Sequence, residues 1–161
     1  MDIKDLLNRV SAGKLSVEEA LGQLHGHGVL DLGFARVDAD RMRRCGMSEV
    51  IFCQGKTPQQ VVEIITALKT TGQSILATRA AQEVFDVVKK THPDALYHAL
   101  PRCITVTIGP QAERIGLIAV VSAGTADLPV AEEAALTADW MGARVEKIYD
   151  VGVAGLHRVV G

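Results

Sequence analysis

The chain has 161 residues, 48% apolar, 22% charged and only 4% aromatic, with a formal net charge of −2. A chain of this length buries roughly two thirds of its unfolded surface, so no disulfide or metal staple is required. Lys and Arg are scattered without a basic stripe, which argues against a nucleic-acid partner, and no apolar run approaches the ~18 residues that span a bilayer. With so few aromatics the core rests on Val, Ile, Leu and Ala, a composition that suits parallel strands covered by helices. Cys45, Cys53 and Cys103 form no C-x-x-C pair, and no His is placed to complete a zinc site with them. An odd number of cysteines without disulfide spacing points to a reducing compartment. The start MDIKDLLNRV has neither a basic n-region nor a long apolar core, so it does not read as a signal peptide. The expected protein is soluble and cytoplasmic.

Residues 2–24 read as two short helices. Ile3, Leu6, Leu7 and Val10 recur at helical spacing, Gly13 interrupts them, and Ser16-Val17-Glu18-Glu19 opens the second helix as a capping box. The run His25-Gly26-His27-Gly28 is a joint, and the first boundary falls there, after a helical arm of residues 1–28. Its two histidines, His25 and His27, are expected to be solvated, with a weak metal site as the alternative. From Phe34 the texture becomes alternating strands and helices: FARV as a strand, Ala39 to Cys45 as a short helix, EVIFC as a buried strand. Thr57-Pro58-Gln59-Gln60 is a strong helix start, and that helix runs to about Thr70. SILAT is the next strand, Arg79 to about Lys90 the next helix, and CITVTI the last strand of a small α/β unit at 29–112. The alternation predicts an α/β layer with largely parallel strands.

Gly109-Pro110 punctuates the chain, and a second boundary falls near Glu113. IGLIAVV then reads as a buried strand, SAGTAD as a turn, Leu128 to Met141 as a helix and Arg144 to Asp150 as a strand. VGVAGLHRVV begins a further helix. Two strands and one helix do not make a stable sheet domain, so residues 113–161 are expected to be the incomplete start of a second unit.

Two strand-to-helix turns carry the chemistry. In Ser122-Ala123-Gly124-Thr125-Ala126-Asp127, small residues let the backbone approach a ligand, the helix start offers N–H groups to an anion, and Ser122 and Thr125 add hydroxyls. The competing reading makes Asp127 an ordinary helix cap. The second turn holds Gly152, Gly155, His157 and Arg158. In a parallel sheet both turns share one edge, so His157 can face the first turn and shuttle a proton while Arg158 holds an anion. The loop lacks the G-x-G-x-x-G fingerprint. Gly55-Lys56-Thr57 imitates the end of a P-loop, but Val50 stands where its first glycine belongs. Arg41, Arg43 and Arg44 read as a wet helix face, Cys53 and Cys103 as small buried hydrophobes, and Arg79 and Arg102 as weak candidates for holding an anion.

The stretches EVIFCQGKTPQQ, ATRAA, VVSAGTADLPVAEEA and YDVGVAGLHR resemble the LarB family of pyridinium biscarboxylate mononucleotide synthases, which serve nickel-pincer cofactor biosynthesis. The resemblance runs along the whole chain. It implies an N-terminal domain followed by a flavodoxin-like, PurE-like domain similar to aminoimidazole ribonucleotide carboxylases, of which 113–161 is the first part. It further implies a substrate, nicotinic acid adenine dinucleotide, whose pyridinium ring is carboxylated with CO2 or bicarbonate. The phosphoanhydride is then hydrolysed to release AMP, with a divalent metal such as Mg2+ assisting, no organic cofactor, and self-association of the intact protein.

Carried onto this sequence, SAGTAD corresponds to the Gly-Ser-x-Ser-Asp turn of PurE-type enzymes, with Asp127 on their Asp and Ala126 in place of their second Ser. The GLHR turn corresponds to their Ala-His-Arg, which makes His157 a catalytic candidate beside Asp127. Ser122, Ala123, Gly124, Thr125, Gly155 and Arg158 become substrate-binding candidates. The family's ring-attacking cysteine matches none of Cys45, Cys53 or Cys103, so the chain by itself is expected to be inactive. Two alternatives stand beside this reading. One is a purine-pathway carboxylase, disfavoured by the long N-terminal extension and the missing second serine. The other is a non-catalytic module that binds an anion or a partner protein.

Overall fold

The computed structural model describes residues 3–25, 28–110 and 113–152. Helices α1 (Ile3–Ser11) and α2 (Val17–His25) form the arm. The capping box at the start of α2 is made as its sequence requires. The Glu19 N–H donates to Ser16 Oγ at 3.1 Å, and the Ser16 N–H donates to Glu19 Oε2 at 2.9 Å. Strands β1 (Val29–Asp31) and β2 (Arg36–Asp38) form an antiparallel hairpin, so the expected FARV strand is the second arm of a hairpin whose first arm is VLD. Helix α3 (Arg41–Cys45) follows with no buried residue, its Arg43 and Arg44 pairing with Asp40 and Asp38, and Gly46 ends it at φ 70°. The arginines are a solvated face.

A four-stranded sheet is the centre of the molecule. Its strands are β3 (Val50–Phe52), β4 (Ile75–Thr78), β5 (Leu96–His98) and β6 (Cys103–Val106), in the order β3-β4-β6-β5. Helices α4 (Pro58–Lys69) and α5 (Gln82–Thr91) are the connections after β3 and β4. Thr57 caps α4 in a complete capping box, accepting from the Gln60 N–H while Gln60 Oε1 accepts from the Thr57 N–H. The imitation P-loop is thus the turn before α4, and its Lys56 Nζ folds back to donate to the Phe52 carbonyl at 2.6 Å. Val61, Val62, Ile64, Ile65 and Leu68 of α4, with Val84 and Val88 of α5, fill the core against β4 and β6. Each of these strands is buried at all four positions, and full burial of each aliphatic side chain contributes about 1.5–3 kcal/mol.

The expectation of largely parallel strands needs correcting here. β3, β4 and β5 point the same way, but β6 lies between β4 and β5 and runs against them, so β3–β4 is the sheet's parallel pair and β4–β6 and β5–β6 are antiparallel. The cause is β5, which the sequence pattern does not reveal. Leu96-Tyr97-His98 is short and not wholly apolar, and it joins β6 through a tight turn closed by the Arg102 N–H on the Ala99 carbonyl at 3.2 Å. A hairpin at this point forces β6 to enter the sheet antiparallel to β4. The α/β class itself holds. Helix α5 also starts at Gln82 rather than Arg79, because Arg79 adopts a left-handed φ of 54° and cannot begin a helix.

Strands β7 (Ile115–Val121) and β8 (Ala143–Ile148) form a separate parallel pair connected by a 3-10 turn (Thr125–Asp127) and α6 (Leu128–Trp140). Gly116, at φ 69°, supplies the bulge that shifts the register between Ile115 and Leu117. Only Ala131 and Ala135 of α6 are buried, and β7 is exposed at every position but Val120. No described helix is long and apolar enough to cross a membrane.

Candidate functional site

Because β7 and β8 are parallel and in register from Leu117↔Arg144 to Val121↔Ile148, their carboxyl ends open onto the same edge. The two following turns meet there. The Ser122 N–H donates to the Ile148 carbonyl at 3.0 Å, and the Val151 N–H donates to the Ser122 carbonyl at 3.2 Å. Gly152 lies so close to the first turn that a Cβ there would stand 2.5 Å from the Ala123 carbonyl oxygen. Only glycine fits, and this close approach locks the second turn onto the first.

Within the first turn, the Gly124 N–H donates to Asp127 Oδ2 at 3.0 Å and the Asp127 N–H returns to the Gly124 carbonyl at 3.0 Å. The Asp127 carboxylate therefore closes the turn behind it and makes no cap bond to α6, whereas the capping reading placed its bond in the turn ahead. The residue is exposed, and so are Ala123 and Thr125, with Gly124 half-buried. Ser122 differs. It is 7% exposed, and its Oγ has no hydrogen-bond partner among the described residues. A buried hydroxyl left unpaired costs about 1–3 kcal/mol.

The structure brings Ser122, Ala123, Gly124, Thr125 and Asp127 together on one turn and sets the start of the second turn against them. Gly155, His157 and Arg158 lie outside the described residues. Two residues join the site that the sequence pattern does not single out as binding candidates. Gly152 is one, through its contact with Ala123. Asp150 is the other, at a left-handed φ of 59° where β8 gives way to the turn. A polar residue two places past the end of a strand and two before a glycine was the available signal.

Just below the edge, Lys147 Nζ pairs with Glu132 Oε2 at 2.7 Å, and this hydrogen bond raises the lysine's pKa. Burial, then the neighbouring Glu132 charge, raises that of Tyr149. Among the described residues no three His, Cys, Asp or Glu side chains gather as a metal cage. Mg2+ does not need one, since it commonly binds through one or two carboxylates, water and substrate phosphates. Asp127, exposed and with one oxygen not engaged by Gly124, fits that donor set. Burial pushes the thiols of Cys53 and Cys103 up to about 11. Both therefore stay protonated at neutral pH and are poor nucleophiles, and Cys45 sits on α3, in a different part of the fold.

A parallel strand–turn–helix–strand unit whose two turns meet at its carboxyl edge is the arrangement in which α/β proteins bind ligands. Residues 29–108 match the family described as LarB/PurE-like N-terminal domain. That match identifies residues 29–108 as a LarB/PurE-like N-terminal domain. The chain is also 27% identical over 165 residues to an uncharacterised protein of Methanocaldococcus jannaschii. That alignment takes in 98% of this chain and 64% of the relative.

Proposed function

We propose that the protein carboxylates the pyridinium ring of nicotinic acid adenine dinucleotide with CO2 or bicarbonate and hydrolyses its phosphoanhydride, releasing AMP. The observation that carries this reading is the locked pair of turns in a chain with a LarB/PurE-like N-terminal domain, with an unpaired buried Ser122 hydroxyl and an exposed Asp127 carboxylate at the same edge. In this reading the turn's N–H groups, Ser122 and Thr125 hold substrate oxygens. Asp127 holds a proton or a Mg2+ ion, which would neutralise phosphate charge when bound. His157 moves a proton, and Arg158 and Gly155 complete the anion site. The ring-attacking cysteine is not among Cys45, Cys53 and Cys103. Three unpaired cysteines fit a cytoplasmic setting, and the exposed face of β7 fits self-association.

The test uses the full-length protein with Mg2+, labelled bicarbonate and nicotinic acid adenine dinucleotide, read by mass spectrometry. A labelled carboxylated mononucleotide and AMP are the expected products, and Asp127→Asn should lower their rate by about 10²-fold or more. Label appearing instead in aminoimidazole ribonucleotide would move the protein to purine synthesis. No product from either substrate would leave the turn as a binding site only.

A further inference from the structure

We propose a second anion-binding site at the carboxyl edge of β4, built by Arg79 and Arg102 and suited to the phosphate groups of a phosphate- or diphosphate-bearing small molecule. β4 ends at Thr78, and β6 begins antiparallel beside it, with Ala77 opposite Ile104. Arg79 and Arg102 are therefore neighbours across the sheet. The Ala80 N–H donates to the Arg102 carbonyl at 2.7 Å and stitches the two junctions together. Both arginines hold left-handed backbone, at φ 54° and 50°, a conformation that residues with side chains adopt rarely. Strained junctions of this kind concentrate where the chain positions groups for binding.

An anion is already drawn to this place. Glu133 reaches over from α6 and sets its Oε2 2.6 Å from Arg79 Nε. The pair is close, while the buried Nε lacks a well-aligned hydrogen bond. Glu133 neutralises Arg79 alone, and a phosphate, with three acceptor oxygens, has the geometry to engage Arg79 and Arg102 together. Arg102 is exposed and makes no ion pair among the described residues. The adjoining start of α5 has Ala81 at its cap position with no side-chain bond, which adds first-turn N–H groups to the same edge.

Glu133 acts here as an internal competitor, holding the site until a better anion displaces it. The site goes beyond the carboxylase reading and does not depend on it. The two are linked in space by α6, since Glu133 lies six residues after Asp127, about 9 Å along the helix.

The experiment is titration calorimetry of the chain with pyrophosphate at low ionic strength in EDTA, without bicarbonate or substrate. Saturable binding is expected, tightened several-fold in Glu133→Gln and weakened at least tenfold in Arg102→Gln and Arg79→Gln. Arg102 is exposed, so its variant keeps the test sound if Arg79→Gln does not fold, which circular dichroism reports. Lys90→Gln, an exposed change at the far end of α5, should bind pyrophosphate as the unchanged chain does. The proposal is overturned if neither the unchanged chain nor Glu133→Gln binds, if Arg102→Gln binds equally well, or if Ser122→Ala abolishes binding. The last result would assign the anion to the other turn.

Discussion

The four-stranded sheet and the β7–β8 pair are written in the same aliphatic alphabet and end in opposite states. Ile75 and Leu76 of β4 are 1% and 0% exposed, whereas Leu117 and Ile118 of β7 are 63% and 45% exposed. The difference is not in the strands. β4 lies between two neighbouring strands under α4, whose buried face is wholly aliphatic. Among the described residues β7 has one neighbouring strand and a helix that buries only two alanines. An aliphatic run states that a strand is suited to cover on both faces. It does not state where the cover comes from.

The comparison is broken most severely by truncating one side chain on each side of it. Ile65 of α4 is fully buried, so Ile65→Ala should cost about 2–5 kcal/mol in denaturant unfolding. Leu117→Ala should stay within about 0.5 kcal/mol, as exposed substitutions do. If Leu117→Ala proves as costly as Ile65→Ala, β7 is covered in solution, and size-exclusion chromatography would then show whether a second copy covers it. A smaller effect is expected where the two turns meet. Gly152→Ala places a Cβ against the Ala123 carbonyl, and such overpacking costs about 1–3 kcal/mol. Amide exchange at Val151, whose N–H is held by Ser122, should accelerate while exchange in β4 is unchanged. Equal acceleration in both places would mean that the turns and the central sheet open as one unit.

How much of this was legible in the sequence follows the same division. Thr57-Pro58-Gln59-Gln60 announced α4 because its capping box is local chemistry, and Ser16 with Glu19 announced α2 for the same reason. The meeting of the two turns was legible because parallel pairing puts both strand ends on one edge. β5 was not, since three residues with one aliphatic side chain carry no period, and its hairpin with β6 makes β6 the one strand of the four that runs against the others. The left-handed arginines were not legible either. Arg79 and Arg102 stand out as cations at junctions, but their conformation depends on the antiparallel entry of β6 that sequence spacing does not show. The unpaired Ser122 hydroxyl is likewise a property of packing, visible only once β8 is laid beside β7.

The smallest expected effect concerns pH, and it lies on the hairpin that sequence reading missed. His98 of β5 is half-buried, with Nε2 2.9 Å from Thr105 Oγ1, and burial lowers its pKa below the ordinary histidine value. A histidine whose folded pKa is depressed binds protons more readily when unfolded. Its contribution to stability is therefore fully present above the unfolded pKa of about 6.5 and is lost as pH falls through the lower folded value. Stability of the central sheet should fall between pH 7 and 5, and that slope should be shallower in His98→Asn, which cannot take up the proton. Urea unfolding at three pH values across that window measures the slope directly. An unchanged slope in the variant would assign the pH dependence to other groups.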